Sequence, residues 1–246
     1  MPVSHKRVCV DNLAIELTRR CNMSCEHCLR GNAEALDMSS KYVRKILGQV
    51  DEIKQVTFTG GEPCLNLKII PYFYERARVG RKTPDSFFVA TNGTLNQEHL
   101  AEVLLRAYME SEEKEYCGVA VSVDDFHEQY PSDYVHGLAF YTDVKNRRGD
   151  YENEWVLNRG RAAANGIGKN KTEVVRQFSV LDDDGILFVD QVYLSANGFV
   201  YPDCDLDYVT MDLNRNVSCG RLRRYLERLA SGGTETPVIA ELPHPK

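Results

Sequence analysis

The chain has 246 residues, 43% of them hydrophobic, and a net charge of −6. That length suits one domain with a small appendix, and the 30 basic and 36 acidic residues, mixed along the chain, exclude a general nucleic-acid surface. Residues 1–9 carry charges without a long apolar run, and eight cysteines at this length do not form a secreted disulfide scaffold, so a cytoplasmic chain without a membrane span is expected.

Residues 13–18 alternate apolar with small or polar side chains, as a barrel strand does, with Glu16 and Thr18 opposite Ile15 and Leu17. The run Cys21-Asn22-Met23-Ser24-Cys25-Glu26-His27-Cys28 follows. Three thiolates on one short loop can hold three irons of a cubane cluster and leave the fourth iron open. Zinc also takes Cys and His ligands, usually four, and His27 can complete such a set. The cysteine offsets of four and three match neither the common zinc hairpin nor the ferredoxin run, so both metals stay open on spacing alone.

Residues 32–38 form a connector. Ser39 or Ser40 can cap a helix through residue 47, with Val43, Ile46, Leu47 and Val50 on its buried stripe. The next strand ends at Thr59, with Val56 and Phe58 on one face and Thr57 and Thr59 on the other. Gly60 and Gly61 then let the backbone turn sharply and leave room for a ligand. Glu62 adds an acceptor suited to an ammonium group, and Pro63 stops the strand; read alone, the same four residues make a tight turn before a helix.

A helix is expected over 67–79, ended by Gly80, then a strand over 87–91, a helix over 97–109 capped by Asn96, and a strand over 117–123. Asp124-Asp125-Phe126-His127 closes that strand. His127 is the best further polar candidate, because an imidazole can move a proton near neutrality. Tyr130 either faces substrate or covers the barrel mouth. Trp155 and Leu157 suggest a fifth strand, with Asn158, Arg159 and Arg161 beyond it; a guanidinium there can hold a carboxylate bidentately. The basic runs at 76–82 and 145–148 read as solvated loop charge.

Short β-like runs follow at 174–180, 186–192 and 199–201, with turns at Gly185 and at Asn197-Gly198, and a helix over 221–229 stops at Gly232-Gly233. Repeated strand–helix units with polar residues at the strand ends imply a mostly parallel sheet. A complete eightfold barrel needs about 250 residues, so an incomplete barrel fits better.

These residues together resemble the radical S-adenosylmethionine (SAM) superfamily. Cys21, Cys25 and Cys28 match its cluster loop, whose position before the last cysteine is usually aromatic and here is His27. Gly60-Gly61-Glu62-Pro63 resembles the stretch that binds the methionine amino group. Thr91-Asn92-Gly93, Ser122-Val123-Asp124 and Gly160-Arg161-Ala162 resemble later elements of the branch that modifies peptides and small molecules. Asn197 to Cys204 resembles the start of a SPASM/twitch-like extension, degenerate here because only Cys204 and Cys219 lie in it.

The resemblance implies a partial TIM barrel, a (β/α)6 core over residues 1–180, with 181–246 completing the barrel and adding a small β-rich extension. It implies one [4Fe-4S] cluster on Cys21, Cys25 and Cys28, and SAM contacts from Gly60, Gly61, Glu62, Asn92, Ser122, Asp124 and Arg161. His127 and Tyr130 are the catalytic candidates. A reduced cluster cleaves SAM to a 5'-deoxyadenosyl radical, which takes hydrogen from a peptide side chain or a small polar metabolite. A one-electron donor such as flavodoxin or ferredoxin is implied, and neither nucleic acid nor membrane is expected as a partner. Two other classes compete: an activating enzyme that installs a glycyl radical on a partner protein, and a non-enzymatic zinc or iron–sulfur module. Four thiolates for a second cubane are not evident, so anaerobic reconstitution is expected to load about four irons per chain, and about eight would contradict a single cluster.

Overall fold

The computed structural model describes residues 6–123, 125–127, 137–144, 156–169 and 177–232. Strand β1 (Arg7–Glu16) is the axis of the fold. It pairs in parallel with β2 (Glu52–Thr59) on one side and with β7 (Ile186–Leu194) on the other. Parallel pairing continues from β2 through β3 (Ser86–Thr91) and β4 (Gly118–Ser122) to β5 (Tyr141–Val144). Six strands thus run the same way in the order β5-β4-β3-β2-β1-β7. The free edge of β7 is covered antiparallel by β6 (Val180–Asp183) along its first half and by β8 (Phe199–Tyr201) near its end. Strand β9 (Val217–Ser218) pairs antiparallel with β8. This is a partial (β/α) barrel with a smaller C-terminal extension.

The crossovers carry helices α1 (Ser40–Leu47), α2 (Ile69–Val79) and α3 (Gln97–Glu110). Ser39 caps α1, and all four residues of the expected stripe, Val43, Ile46, Leu47 and Val50, are buried. Against these helices pack Leu13, Ile15 and Leu17 of β1 and its exit, and Val56 and Phe58 of β2. Ala14 faces the other way and joins Tyr193, Tyr201, Leu206, Tyr208 and Met211 in a separate cluster. Glu16 shares that inner face and bonds to Tyr193, which settles which side of the sheet holds it. The β6–β7 hairpin turns through Asp184 and Gly185, both at positive φ, the backbone that a two-residue turn of this kind demands.

Several sequence expectations need correction. Leu157 makes only an isolated bridge with Lys169, while Trp155 lies outside the described residues. The fifth strand is instead Tyr141–Val144, where pairing with β4 decides the conformation of a stretch too short to carry a periodic signal. Asn96 precedes α3 at φ +48 and makes no side-chain cap; its amide donates to the Cys64 carbonyl at 3.1 Å. Of the run expected at 174–180, residues 174–176 lie outside the description, and β6 begins only at Val180. Three short helices close the chain's later part: α4 (Gly160–Ala164), α5 (Tyr208–Leu213) and α6 (Leu222–Ala230). Helix α5 was not foreseen, although Asp207 caps it on the Thr210 amide at 2.8 Å.

Phe58 is fully buried, meets Phe73 edge-on at 5.6 Å and carries the β2 end that leads to Gly60. Phe58→Ala is expected to cost about 3–5 kcal/mol, read as a lower midpoint in guanidinium unfolding. An unchanged midpoint would mean that this core is not packed as described.

Candidate active site at the cysteine loop

The loop after β1 leaves the sheet and returns to it on a short double-stranded stem. Thr18 bridges Asp37, the Arg19 amide donates to the Leu36 carbonyl at 2.8 Å, and the Met38 amide donates to Leu17 at 2.9 Å. Cys21, Cys25 and Cys28 project from the segment that this stem closes. A turn from the Cys25 carbonyl to the Cys28 amide (3.2 Å) sets the last two together.

Two neighbours clamp this segment. Asn92, just past β3, donates its amide to Asn22 Oδ1 at 3.0 Å, and Asn22 donates in turn to Thr94 Oγ1 at 2.8 Å. From the other side the Arg161 amide donates to the Cys28 carbonyl at 2.9 Å, and Asn165 donates to the Glu26 carbonyl at 3.0 Å. Gly160 stands at φ +55 where a Cβ would meet the Leu29 carbonyl at 2.4 Å, so only glycine lets α4 dock here.

Gly60 and Gly61 have a similar task. A Cβ on Gly60 would lie 2.3 Å from the Thr18 carbonyl oxygen, and one on Gly61 2.2 Å from that of Arg20. Missing side chains therefore admit the β1 exit as well as a ligand, and the Gly61 and Glu62 amides bond to those same carbonyls at 2.7 and 2.8 Å. Glu62 is fully buried and accepts from the Cys64 amide, Thr91 Oγ1 and the Asn92 amide at 3.0, 2.6 and 2.8 Å. Its side chain is spent on joining the glycine turn to the end of β3, and it does not line the cavity described next.

A cavity of about 260 Å³ opens at the C-terminal ends of the strands. All three loop cysteines line it, together with Gly60, Gly61, Asn92, Ser122, His127 and Arg161 from the expected set, and with His27 and Arg30. Asp124 and Tyr130 lie outside the described residues. His27 stacks on Phe126 (centroids 4.4 Å) and meets His127 edge-on at 5.0 Å. No Asp or Glu lines the cavity among the described residues. Arg161 Nε is buried there without a hydrogen-bond partner in the described protein. Burial pushes the Cys21 thiol up, against the Met23 amide that favours its thiolate; a soft cation is what would hold it deprotonated.

The other cysteines are dispersed. Cys64 is buried beside Glu62, and burial and that carboxylate both push its thiol up, which keeps it neutral. Cys219 sits in the main core at the Gly198 end of β8, while Cys204 follows the opposite end and packs on the inner cluster.

Behind the loop lies an ionic hub that sequence reading missed. Glu16 and Arg19 are both fully buried and 3.3 Å apart. Glu16 also accepts from Tyr193 Oη (2.9 Å), Ser195 Oγ (2.6 Å) and the Ala196 amide (2.8 Å). Arg19 donates to Glu34 at 2.8 Å and to both oxygens of Asp212, and its guanidinium lies 4.5 Å over the Tyr208 ring. Burial works against the Arg19 charge, and Glu16, Asp212 and Glu34 more than restore it.

The model of the radical SAM superfamily matches residues 15–175, well over half of the chain. The chain belongs to the radical SAM superfamily. Membership implies SAM and an iron–sulfur cluster as cofactors, and the radical SAM reading fits the site: three thiols on one loop, an arginine whose Nε has no hydrogen-bond partner in the described protein, and no carboxylate on the cavity wall among the described residues. Over 123 residues the chain is 32% identical to the GTP 3',8-cyclase of Chlorobaculum tepidum, covering 47% of this chain and 33% of that protein. Over 98 residues it is 33% identical to the tungsten-containing aldehyde ferredoxin oxidoreductase cofactor-modifying protein of Pyrococcus furiosus, covering 37% of this chain and 26% of that one. The chain thus spans a third or less of the curated relatives it matches. SuiB of Streptococcus suis shares the fold at a TM-score of 0.50 and 14% identity, over 94% of this chain and 67% of that one.

Arg19→Met would strand the Glu16 charge in the interior and is expected to cost about 3–5 kcal/mol in denaturant unfolding. Asp212 gives a pH test. Burial alone would raise its carboxyl, yet hydrogen bonds from Arg19 and Asn197 hold it below the usual range. A depressed folded pKa adds stability above the unfolded value near 3.9, and that stability is lost as pH falls through the folded value. Asp212→Asn should therefore flatten the stability–pH slope below about pH 5, and an unaltered slope would deny the ion pair its role.

Proposed function

We propose that the chain reductively cleaves SAM at a single [4Fe-4S] cluster held by Cys21, Cys25 and Cys28, and acts on a peptide side chain or a small polar metabolite. The observation that carries this is the convergence of the three thiols with the glycine turn, Asn92, Ser122 and Arg161 on one cavity. Bound together, the reduced cluster and SAM supply a 5'-deoxyadenosyl radical that abstracts a substrate hydrogen. The protein's part is ligation, orientation and exclusion of side reactions. The loop stem and its two clamps hold the sulfurs; the backbone of the 60–62 turn offers the polar edge for the methionine end. Arg161, charged and unpartnered at Nε, is suited to the methionine carboxylate.

His127 holds or moves a proton of the substrate in this reading, which its position on the cavity wall, edge-on to His27, supports. Asp124 and Tyr130 keep the roles expected of them from sequence. Residues 197–204 resemble the start of a twitch-like extension, and the division at residue 180 follows that reading. An acidic one-electron carrier of the flavodoxin or ferredoxin type would supply the electron. Among the described residues no helix is long and apolar enough to cross a membrane, and we place the reaction in the cytoplasm.

The test compares the wild type with Cys25→Ala after anaerobic reconstitution, reduction and addition of SAM. The wild type is expected to release 5'-deoxyadenosine. The variant should lose both the cluster absorbance and the release, and cleavage at the original rate by Cys25→Ala would overturn the ligand assignment.

A further inference from the structure

Among the described residues two arginines, Arg30 and Arg161, line the cavity, whereas SAM brings one carboxylate. Arg161 stands on α4 with its amide on the Cys28 carbonyl. Arg30 stands on the β7 side, and the C-terminal extension fixes it. The Tyr208 amide donates to the Arg30 carbonyl at 3.1 Å, the Arg30 guanidinium lies 4.8 Å over the Tyr193 ring, and its Nη1 donates to the Leu206 carbonyl. Its Nε and Nη2 make no hydrogen bond to any described residue, and Arg30 is among the residues that line the cavity. No carboxylate lines that cavity among the described residues, and nearby Glu16 is saturated by Arg19, Tyr193, Ser195 and Ala196.

A cation held rigid by stacking, partly desolvated and with its Nε–Nη2 edge unfilled, matches a planar or tetrahedral anion in two-point contact. The geometry points to Arg30 as the residue that binds an anionic group of the substrate, a carboxylate or a phosphate, while Arg161 serves the carboxylate of SAM. This rests on the SAM-cleaving function proposed above and narrows its substrate class. The competing task for Arg30 is to balance the charge of a thiolate-bound cluster, and the two tasks separate experimentally.

Reconstituted, SAM-saturated enzyme is titrated anaerobically by calorimetry with acetate and, separately, with inorganic phosphate; iron content and SAM affinity are measured on the same samples. The wild type should bind one of the two anions, and which one it prefers assigns the carboxylate or the phosphate. Arg30→Gln should bind that anion about tenfold more weakly or worse, with iron content and SAM affinity held within about twofold. Arg30→Lys keeps the charge without the fork and should fall between. No anion binding by the wild type, equal binding by Arg30→Gln, or a matching loss of SAM affinity overturns the assignment. If Arg30→Gln does not fold, unchanged anion binding by Arg30→Lys overturns it. Protein contacts alone hold Arg30, so the same titration on the metal-free chain decides the subsite even if the wild type proves unable to cleave SAM.

Discussion

The buried pair Glu16–Arg19 is the constraint on which the rest of the molecule depends. Both side chains are fully shielded from solvent, and an isolated charge in either position would cost several kcal/mol. Each is therefore obliged to find partners, and the partners come from distant parts of the chain: Glu34 from the cysteine loop, Tyr193 and Ser195 from the end of β7, Asp212 from α5. Satisfying two charges fixes where the loop leaves β1 and how the extension sits over the inner face. Cys21 follows Arg19 by two residues, so the first thiol inherits its position from this hub.

The remaining order of the loop is imposed by close approach and by amides. Three glycines, at 60, 61 and 160, stand where any side chain would collide with the backbone of the loop or of the β1 exit. Asn22, Asn92 and Thr94 then link the loop to β3, and Glu62 links β3 to the glycine turn. A site built this way has its residues held by protein contacts, as a functional constellation requires. Its electrostatics follow the same logic: among the described residues two arginines and two histidines line the cavity and no carboxylate does, which suits an environment of thiolates and anionic ligands.

Much of this was legible in the sequence, for reasons that can be named. Cys21, Cys25 and Cys28 are close in sequence and so are necessarily close in space. Val56 and Phe58 report a strand by their alternation, and the α1 stripe reports a helix by its period. What escaped reading depends on partners far apart along the chain. Nothing near Glu16 announces that Tyr193, Ser195 and Ala196 will bond to it, nor does anything near Arg30 announce Tyr193. Residues 141–144 form a strand because β4 offers an edge, not because four residues carry a pattern. Nothing near Glu62 announces that the Cys64 amide, Thr91 and the Asn92 amide will bond to it. Asn96 has the composition of a cap, but its left-handed backbone turns the amide toward Cys64.

The central claim is that Cys21, Cys25 and Cys28 alone ligate a cubane whose fourth iron is open to SAM. Mössbauer spectroscopy of enzyme reconstituted anaerobically with iron-57 tests it most directly. One iron site in about four should change its spectrum when SAM is added, while the other three stay as they were. A spectrum indifferent to SAM, or a preparation that retains zinc in place of iron, would contradict the account.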